Sequence, residues 1–570
     1  MDREKFEGIL EAALLITFFT AMLYLGPAAT AQRQIMHDHP AGYAASDSFQ
    51  HQARAESIRQ MGQYRNEASY IVAGHTDVVG FYPPILYHAT VLVSNLAGME
   101  TYDALMLIIG LAIALGAIAA YFLTRGLGRA VAALALPLTL FMATGKPFLG
   151  AVTFGQMPFM LSALFLIATA WAITKLSEPK GYLLAAIFLA GTVMTHTSET
   201  IFLAMLLAAV LAASTIAAIK KFGIAGIKSA VKENRQLLLA LAAAAAIAAY
   251  FIPMFIGIWV KALPYRFNVE RISASFPAAT VFPTDFGFML AAILAGIAAT
   301  ALLAIKKRDE FANLTKSKLF PLLFSAYMLI AGFGTYAGFG LRSFQLRLAW
   351  PLLLAPLAAF GTYHALRMFL RIGKLPKSSQ YAACIAITLL LSGAAMGMHY
   401  EQPSPGSMDK DRWEAMNWIS GNTPKDASVY VLYSHVYSQT SSLYNTQRRT
   451  YFLELQQFAG MLNSLGSTGE LNRTSYVTIP SDSGPNFPYR TGLFSFDRHI
   501  ATTKTSDNID ICSADYYLID KAFPQQELTQ ANLYLMRLLL GGNSTTEYDS
   551  PSAAVLRNNN KDDDCIGKQA

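Results

Sequence analysis

Long apolar runs between Phe6 and Met398, joined by mostly short polar segments, constrain this chain more than any other feature. Runs of about 18 or more apolar residues read as helices that cross a bilayer. Eleven spans are predicted, near 6–27, 101–123, 130–143, 153–174, 182–195, 199–219, 236–256, 285–305, 319–340, 346–366 and 379–398. The segment from Pro83 to Leu96 is apolar but short, and reads as a re-entrant or interfacial helix or as an extension of the second span. Only 14% of the residues are charged, where a soluble chain carries about a quarter. The first run is not a signal peptide: its flank, Asp2, Arg3, Glu4, Lys5 and Glu7, is not cationic, and the run is long for one.

A net charge of +7 does not indicate a nucleic-acid partner, because the basic residues form no single patch. They sit in short clusters between apolar runs, as the positive-inside rule requires. With the N-terminus in the cytoplasm, the inner loops hold 18 Lys and Arg and the longer outer loops hold 10. The expected protein is therefore a multi-pass plasma-membrane protein whose long loop 28–82 and C-terminal region lie outside.

Residues 1–400 form the membrane part in this reading. Residues 401–557 form an extracytoplasmic α/β domain, and 558–570 a disordered tail. Asp411–Ser420 is amphipathic. Ser428–Tyr433 and Asp515–Asp520 read as buried strands, and Ala553–Arg557 as a last strand. Cys384 falls in an apolar run. Cys512 and Cys565 fall in the outer region, where pairing and two lone thiols are both open.

A long polar loop after the first span calls for a function. It carries His37, Asp38, His39, Asp47, His51, Glu56, His75 and Asp77, then runs into Gly80-Phe-Tyr82-Pro-Pro-Ile-Leu-Tyr-His88. Asp47, His51 and Arg54 have helical spacing; with Ser48–Met61 helical, Asp47 is its N-cap. The plain structural alternative is a capped helix at a solvated lip. Thr195-His196-Thr-Ser-Glu199 and Gly155-Gln156-Met-Pro158 are polar breaks on the same side, and each also suits an ordinary helix start.

The order of one span, the outer segment Asp47-Ser-Phe-Gln-His51-Gln-Ala-Arg54-Ala-Glu-Ser-Ile58, then Tyr82-Pro-Pro-Ile-Leu-Tyr-His88, resembles the GT-C superfamily of membrane glycosyltransferases. The nearest flavour is that of prokaryotic members distantly related to the oligosaccharyltransferase catalytic subunit and protein O-mannosyltransferases. Arg412-Trp-Glu-Ala-Met-Asn-Trp-Ile419 followed by Asn422-Thr-Pro-Lys-Asp426 resembles the start of the outer domain in such proteins. The resemblance implies a polytopic α-helical, GT-C-like membrane protein with a C-terminal extracytoplasmic α/β domain. It also implies a sugar carried on a polyprenyl phosphate or diphosphate, and an acceptor glycan, lipid or protein. By position, Asp47 is the general base. Its charge also steadies the reacting carbon.

The departing lipid phosphate needs cations, and Arg342 and Arg347 at the outer mouth of the tenth span are the candidates, with snorkelling as the alternative. Lys146, Lys261, Arg266 and Arg271 are weaker ones. His51, Arg54, Asp77, Tyr82, His88, Gln156, His196 and Glu199 are the other expected substrate contacts. A divalent metal, Mg or Mn, is a candidate cofactor, with Asp47, Asp77 and His39 as ligands. The second-loop acidic pair and the Trp-Trp-Asp motif of oligosaccharyltransferases are absent from the sequence, which argues against en bloc glycan transfer to asparagine.

A transporter or lipid-linked-glycan flippase is the rival class, but it calls for ionisable groups near the midplane and broken helices in matching halves. A non-catalytic surface assembly protein would not need eleven spans. No phosphate-binding glycine loop, zinc spacing or nucleophile elbow occurs in the sequence.

Overall fold

The computed structural model describes residues 3–26, 34–44, 46–62, 67–68, 78–79, 83–148, 155–249, 251, 281–306, 319–337, 343–370, 372–399, 406–432, 441–442, 445–453, 455–468, 470–481, 487–491, 494–498, 503–523, 525–561 and 563–567. Among the described residues five helices are long and apolar enough to cross a membrane by length and composition: Glu4–Leu25, Thr101–Arg125, Thr197–Glu233, Met289–Lys306 and Lys377–Gly397. Six shorter apolar helical stretches accompany them. Together they make the chain a multi-pass membrane protein, mostly helical, with a sheet region at the C-terminal end.

Helix α1 (Arg3–Leu25) is followed by α2 (Ser46–Met61), α3 (Ile85–Ala97) and α4 (Thr101–Arg125). Gly98, at φ 64°, turns the chain sharply between α3 and α4. The charged ends of α1 and α4 meet. Arg125 Nη2 donates to Glu11 Oε2 at 3.1 Å, Arg129 pairs with Glu7 at 3.2 Å, and the Tyr121 hydroxyl donates to Glu11 at 2.9 Å. A carboxylate inside an apolar helix is tolerated here because these partners solvate it.

The stretch expected near 130–143 is a chain of short turns, Arg129–Ala133, Leu136–Thr139 and Phe141–Thr144, interrupted around Pro137 and buried over most of its length. Next come α5 (Met157–Ile173), α6 (Gly181–Val193), α7 (Thr197–Phe222), α8 (Arg235–Ile247), α9 (Met289–Lys306) and α10 (Phe320–Gly332). The span expected at 346–366 is also broken, into Ser343–Leu348, Trp350–Leu353 and α11 (Ala355–Phe369), with Pro351 and Pro356 opening the last two pieces. Helices α9 and α11 cross at backbone contact. A Cβ on Gly296 would fall 2.0 Å from the Leu357 carbonyl oxygen, and one on Gly361 2.0 Å from that of Ala292. Small residues at such a crossing replace the hydrophobic drive that lipid does not provide.

Helix α12 (Lys377–His399) leads to α13 (Lys410–Asn422), whose N-cap Asp409 accepts from the Arg412 amide at 2.8 Å. A two-residue ladder joins β1 (Glu67–Ala68) and β2 (Val78–Val79). The main sheet runs β10 (Ser544–Asp549), β11 (Ala553–Asn558), β9 (Tyr516–Asp520), β3 (Ser428–Val431), β4 (Arg449–Phe452), β5 (Thr474–Ser481) and β8 (Thr503–Asp510). β6 (Phe487–Thr491) and β7 (Phe494–Arg498) form a separate hairpin. Strand β3 pairs parallel with both β4 and β9, and the other rungs are antiparallel. The two central strands β3 and β9 are buried along their whole length, as their unbroken apolar runs foretell. α14 (Leu455–Thr468) and α15 (Gln526–Gly541) complete this region.

The tail expected to be disordered from 558 is instead folded through Gly567, apart from Asp562, which lies outside the described residues. Cys565 is disulfide-bonded to Cys512, the Asn558 amide donates to the Cys512 and Ala514 carbonyls at 2.9 Å, and the Gly567 amide donates to Leu538 at 2.8 Å. A polar composition hid a covalent tether.

The C-terminal region docks on the segment 34–44 and on the start of α4. The Ser407 amide donates to the Tyr43 carbonyl at 2.7 Å, Lys410 pairs with Asp38 at 2.8 Å, and the rings of Tyr102 and Trp413 meet edge-to-face at 5.6 Å.

Candidate active site

Helix α2 begins at Ser46, so Asp47 lies in its first turn rather than at the cap. There its carboxylate sits within the positive end of the helix dipole. Asp47 is half-buried, and its backbone is pressed by the Gly155 loop. Gly155 has φ +66°, and a Cβ there would lie 2.6 Å from the Asp47 Cβ and 2.6 Å from the Ser48 nitrogen. Only glycine meets both demands, a left-handed backbone and a bare approach. The loop is held in place because Pro158 opens α5 immediately after Gln156.

One turn beyond Asp47, His51 is 1% exposed. Its Nδ1 lies 2.8 Å from the Tyr87 hydroxyl, and it also bonds the backbone of Gly155. Burial pushes the imidazole down to about 3, with the charge of Arg54 and the proximity of His196 adding to the effect; the Gly155 carbonyl opposes it. His51 is thus a neutral ring that fixes α2 against α3 and the Gly155 loop. Tyr87 is itself buried on α3, whose first amide, Ile85, donates to the Met194 carbonyl at 3.1 Å. That bond seats α3 beside the turn carrying His196.

His196 is the extended N-cap residue of α7, and its Nδ1 is hydrogen-bonded to Glu199 Oε2 in the first turn of the same helix. Its ring meets Phe159 edge-to-face at 6.3 Å. Glu199 is fully buried, and its Oε1 has no hydrogen-bond partner among the described residues. Gln156 accepts from the buried amide of Gln345. Two residues on, Arg347 is 3% exposed. Its guanidinium lies 5.0 Å from the Phe282 ring and 5.7 Å from that of Tyr336, which also hydrogen-bonds it. Its Nε and Nη1 have no hydrogen-bond partner among the described residues.

The structure therefore joins the start of α2, the Gly155-Gln156 loop, the His196 turn and the segment 343–348 in one neighbourhood. Arg54 lies on α2 near His51, half-buried, and His88 lies on α3, half-buried, one residue after Tyr87. Asp77, Tyr82 and Arg342 lie outside the described residues, as do His75, Lys261, Arg266 and Arg271. Lys146, a weaker cation candidate, is paired with Asp285 at 2.8 Å. His39 is turned to Asp38 at 2.9 Å, and Lys410 and His39 hold that carboxyl down at about 2. Among the described residues no group of three or more His, Cys, Asp and Glu side chains gathers to hold a metal, and Asp77, one of the three ligands expected, lies outside them. Sequence reasoning did not single out Tyr87, Gln345, Tyr336 and Phe282. The first two stand inside segments already marked by Tyr82-Pro-Pro and by Arg342 to Arg347, and that adjacency was the available signal.

No family model matches the chain, and no curated protein matches it. Solved structures do. The archaeal oligosaccharyltransferase AglB from Archaeoglobus fulgidus, in complex with an inhibitory peptide and a dolichol-phosphate, superposes with TM-score 0.55 at 12% identity, covering 94% of this chain and 83% of that one. The same enzyme with zinc and sulfate superposes with TM-score 0.53 at 12% identity, covering 93% and 82%. ArnT from Cupriavidus metallidurans bound to undecaprenyl phosphate aligns more loosely, with TM-score 0.46 at 11% identity over 98% and 99%. These neighbours are GT-C glycosyltransferases. The likeness establishes the fold.

Proposed function

We propose that this chain, built on the GT-C fold, is a membrane glycosyltransferase that moves a sugar from a polyprenyl-phosphate or diphosphate lipid to an acceptor hydroxyl on the outer face. The observation that carries the reading is Arg347. A buried guanidinium with two nitrogens, Nε and Nη1, lacking hydrogen-bond partners among the described residues, boxed by aromatic rings, is costly unless an anion meets it. A lipid phosphate at the membrane boundary suits it in charge and in forked geometry. Gln345 and Gln156 link that segment to the loop that abuts Asp47.

In the proposed reaction the acceptor oxygen attacks the anomeric carbon and its proton passes to Asp47. The bond from that carbon to the phosphate oxygen breaks as the glycosidic bond forms. The lipid phosphate leaves with the electron pair, and Arg347 receives its charge, with Arg342 as the second cation expected there. His51, Tyr87 and Gly155 position the helix that carries the base. His196 and Glu199 line the same neighbourhood, and the Glu199 Oε1, without a hydrogen-bond partner among the described residues, can accept from a sugar hydroxyl. No step is routed through a metal. The proposed topology keeps eleven spans and an inside N-terminus, with residues 1–400 in the membrane part and the region from 401 outside. A disulfide in that region suits an oxidising compartment.

The test is sugar transfer from a polyprenyl-phosphate-linked sugar by purified protein. Asp47→Asn should lower the rate by about 100- to 10,000-fold while the protein stays folded. Transfer at the wild-type rate removes Asp47 as the base. Wild-type protein that moves the lipid across vesicles without transferring the sugar would make it a flippase.

A further inference from the structure

Helix α2 has a second functional face. At 100° per residue, Asp47, His51 and Arg54 lie on one side of it and Gln52, Glu56 and Arg59 on the other. The second face lines a cavity of about 380 Å³, closed by α13 and by the turn around Asn445 and Gln447 of the outer region. This volume lies in the ~300–1,000 Å³ range of small-molecule sites.

The lining is a built array. Five side-chain amides face it: Gln52, Gln60, Asn417, Asn445 and Gln447. Gln52 is 2% exposed; its Nε2 donates to Thr101 Oγ1 at 3.5 Å, while its Oε1 has no hydrogen-bond partner among the described residues. The Thr101 hydroxyl in turn donates a hydrogen bond to Glu56 at 2.9 Å, which fixes the amide so that its oxygen is the atom left over. Glu56 also accepts two bonds from Arg59 at 3.0 Å, and Arg59 reaches Glu100 at 2.9 Å.

That pattern selects the chemistry of the occupant. An anion is opposed, because the lining holds the carboxylates of Asp38, Glu56 and Glu100, and the guanidinium of Arg59 is already bonded to two of them. A metal is opposed, because no cluster of three ligating side chains forms among the described residues. A neutral polyol fits. The leftover Gln52 oxygen and the carboxylates of Asp38, Glu56 and Glu100 accept from the hydroxyls of a sugar ring, while the amide nitrogens of Gln60, Asn445 and Gln447 already donate to neighbouring groups.

We propose that this cavity binds an uncharged sugar, on the far side of α2 from Asp47. The proposal rests on the transferase reading only for the sugar's role, which is to hold a glycan acceptor at a second point.

Binding is measured on the full-length protein in lipid nanodiscs free of sugar-headed detergent, by saturation-transfer NMR with methyl α-mannoside and methyl β-glucoside. At least one probe should show transfer on wild type and on Asp47→Asn. The signal should fall at least tenfold in Gln52→Leu and in Asn417→Ala. Asn417 is exposed, so its variant decides the matter where Gln52→Leu does not fold. Absence of signal from both glycosides overturns the proposal, as does a signal that survives in Asn417→Ala. Tighter binding of glucose 1-phosphate or of a capped Asn-Val-Thr peptide at the same residues overturns it as well. Because the readout is binding, an Asp47→Asn enzyme with undiminished transfer sinks the catalytic reading and leaves the sugar site standing.

Discussion

A methyl group added 108 residues away from the proposed base should disable it. In Gly155→Ala the new Cβ would start 2.6 Å from the Asp47 Cβ and 2.6 Å from the Ser48 nitrogen. Opening that approach to an ordinary 3.4 Å contact displaces the start of α2 from the loop by 0.8 Å. A misplacement of about 1 Å at reacting groups can cost on the order of 100-fold, so kcat should fall by roughly 10- to 100-fold. The left-handed backbone adds about 1–2 kcal/mol of strain, small against a typical stability of about 5–15 kcal/mol, so the variant should remain folded. Transfer is assayed with a polyprenyl-phosphate-linked sugar, alongside thermal unfolding. Gly155→Asn separates the two effects: asparagine tolerates the left-handed region but keeps the Cβ, so stability should recover while the rate stays low. Wild-type kcat in a folded Gly155→Ala protein would refute the placement of Asp47 at the reacting centre.

Arg347→Met should raise KM for the lipid donor by about 10- to 100-fold, the worth of one charge-assisted hydrogen bond, and Arg347→Lys should recover only part because ammonium lacks the fork. An unchanged KM in both would remove the phosphate from this site. His51 is held near 3 when folded against 6.5 when free, so the unfolded chain binds the extra proton between those values. Stability should therefore drop as pH falls from 6.5 toward 3, and His51→Gln should flatten that slope; Asp38, whose window runs from 3.8 to about 2, contributes only at the acid end. Identical melting curves against pH for wild type and His51→Gln would contradict this. The Cys512–Cys565 bond spans 53 residues, and its removal should cost the outer region up to about 4 kcal/mol by loop entropy. Hydrogen exchange across 558–567 should rise in Cys512→Ser, and protection equal to wild type would show that the tail does not depend on the tether.

Membrane helices were legible because a bilayer imposes one long apolar period. Strands β3, β9 and β11 were legible because short apolar runs bounded by turns have few other uses. The interruptions were marked by the prolines themselves, but their extent was not. Pro137 and Pro351 stand within apolar stretches, and only packing decides whether such a proline kinks a span or divides it. The ordered tail was illegible for a different reason, since Cys565 stands among aspartates and asparagines and its partner lies 53 residues upstream. Within the site, titratable groups drew most of the notice, with Gln156 and Tyr82 among the few neutral ones. Asp47, His51, His196 and Arg347 stood out as titratable side chains in an apolar chain. Gln345, buried and paired with Gln156 across 189 residues, is signalled only by its place between Arg342 and Arg347.

The location of unsatisfied polar atoms follows from the same physics as the spans. Ser198 Oγ, Glu199 Oε1, Gln345 Oε1, and Nε and Nη1 of Arg347 are buried without hydrogen-bond partners among the described residues. Each would cost about 1–3 kcal/mol in a dry protein, a burden that packing residues of the same size would avoid. They occupy two segments, 196–199 and 343–348, that approach the Gly155-Gln156 loop through Phe159 and through Gln345. A membrane protein that needed these helices only as an anchor would gain by replacing every one of them with leucine. Their place beside the helix bearing Asp47 is the ground for the proposal that a polar substrate with an anionic head completes them.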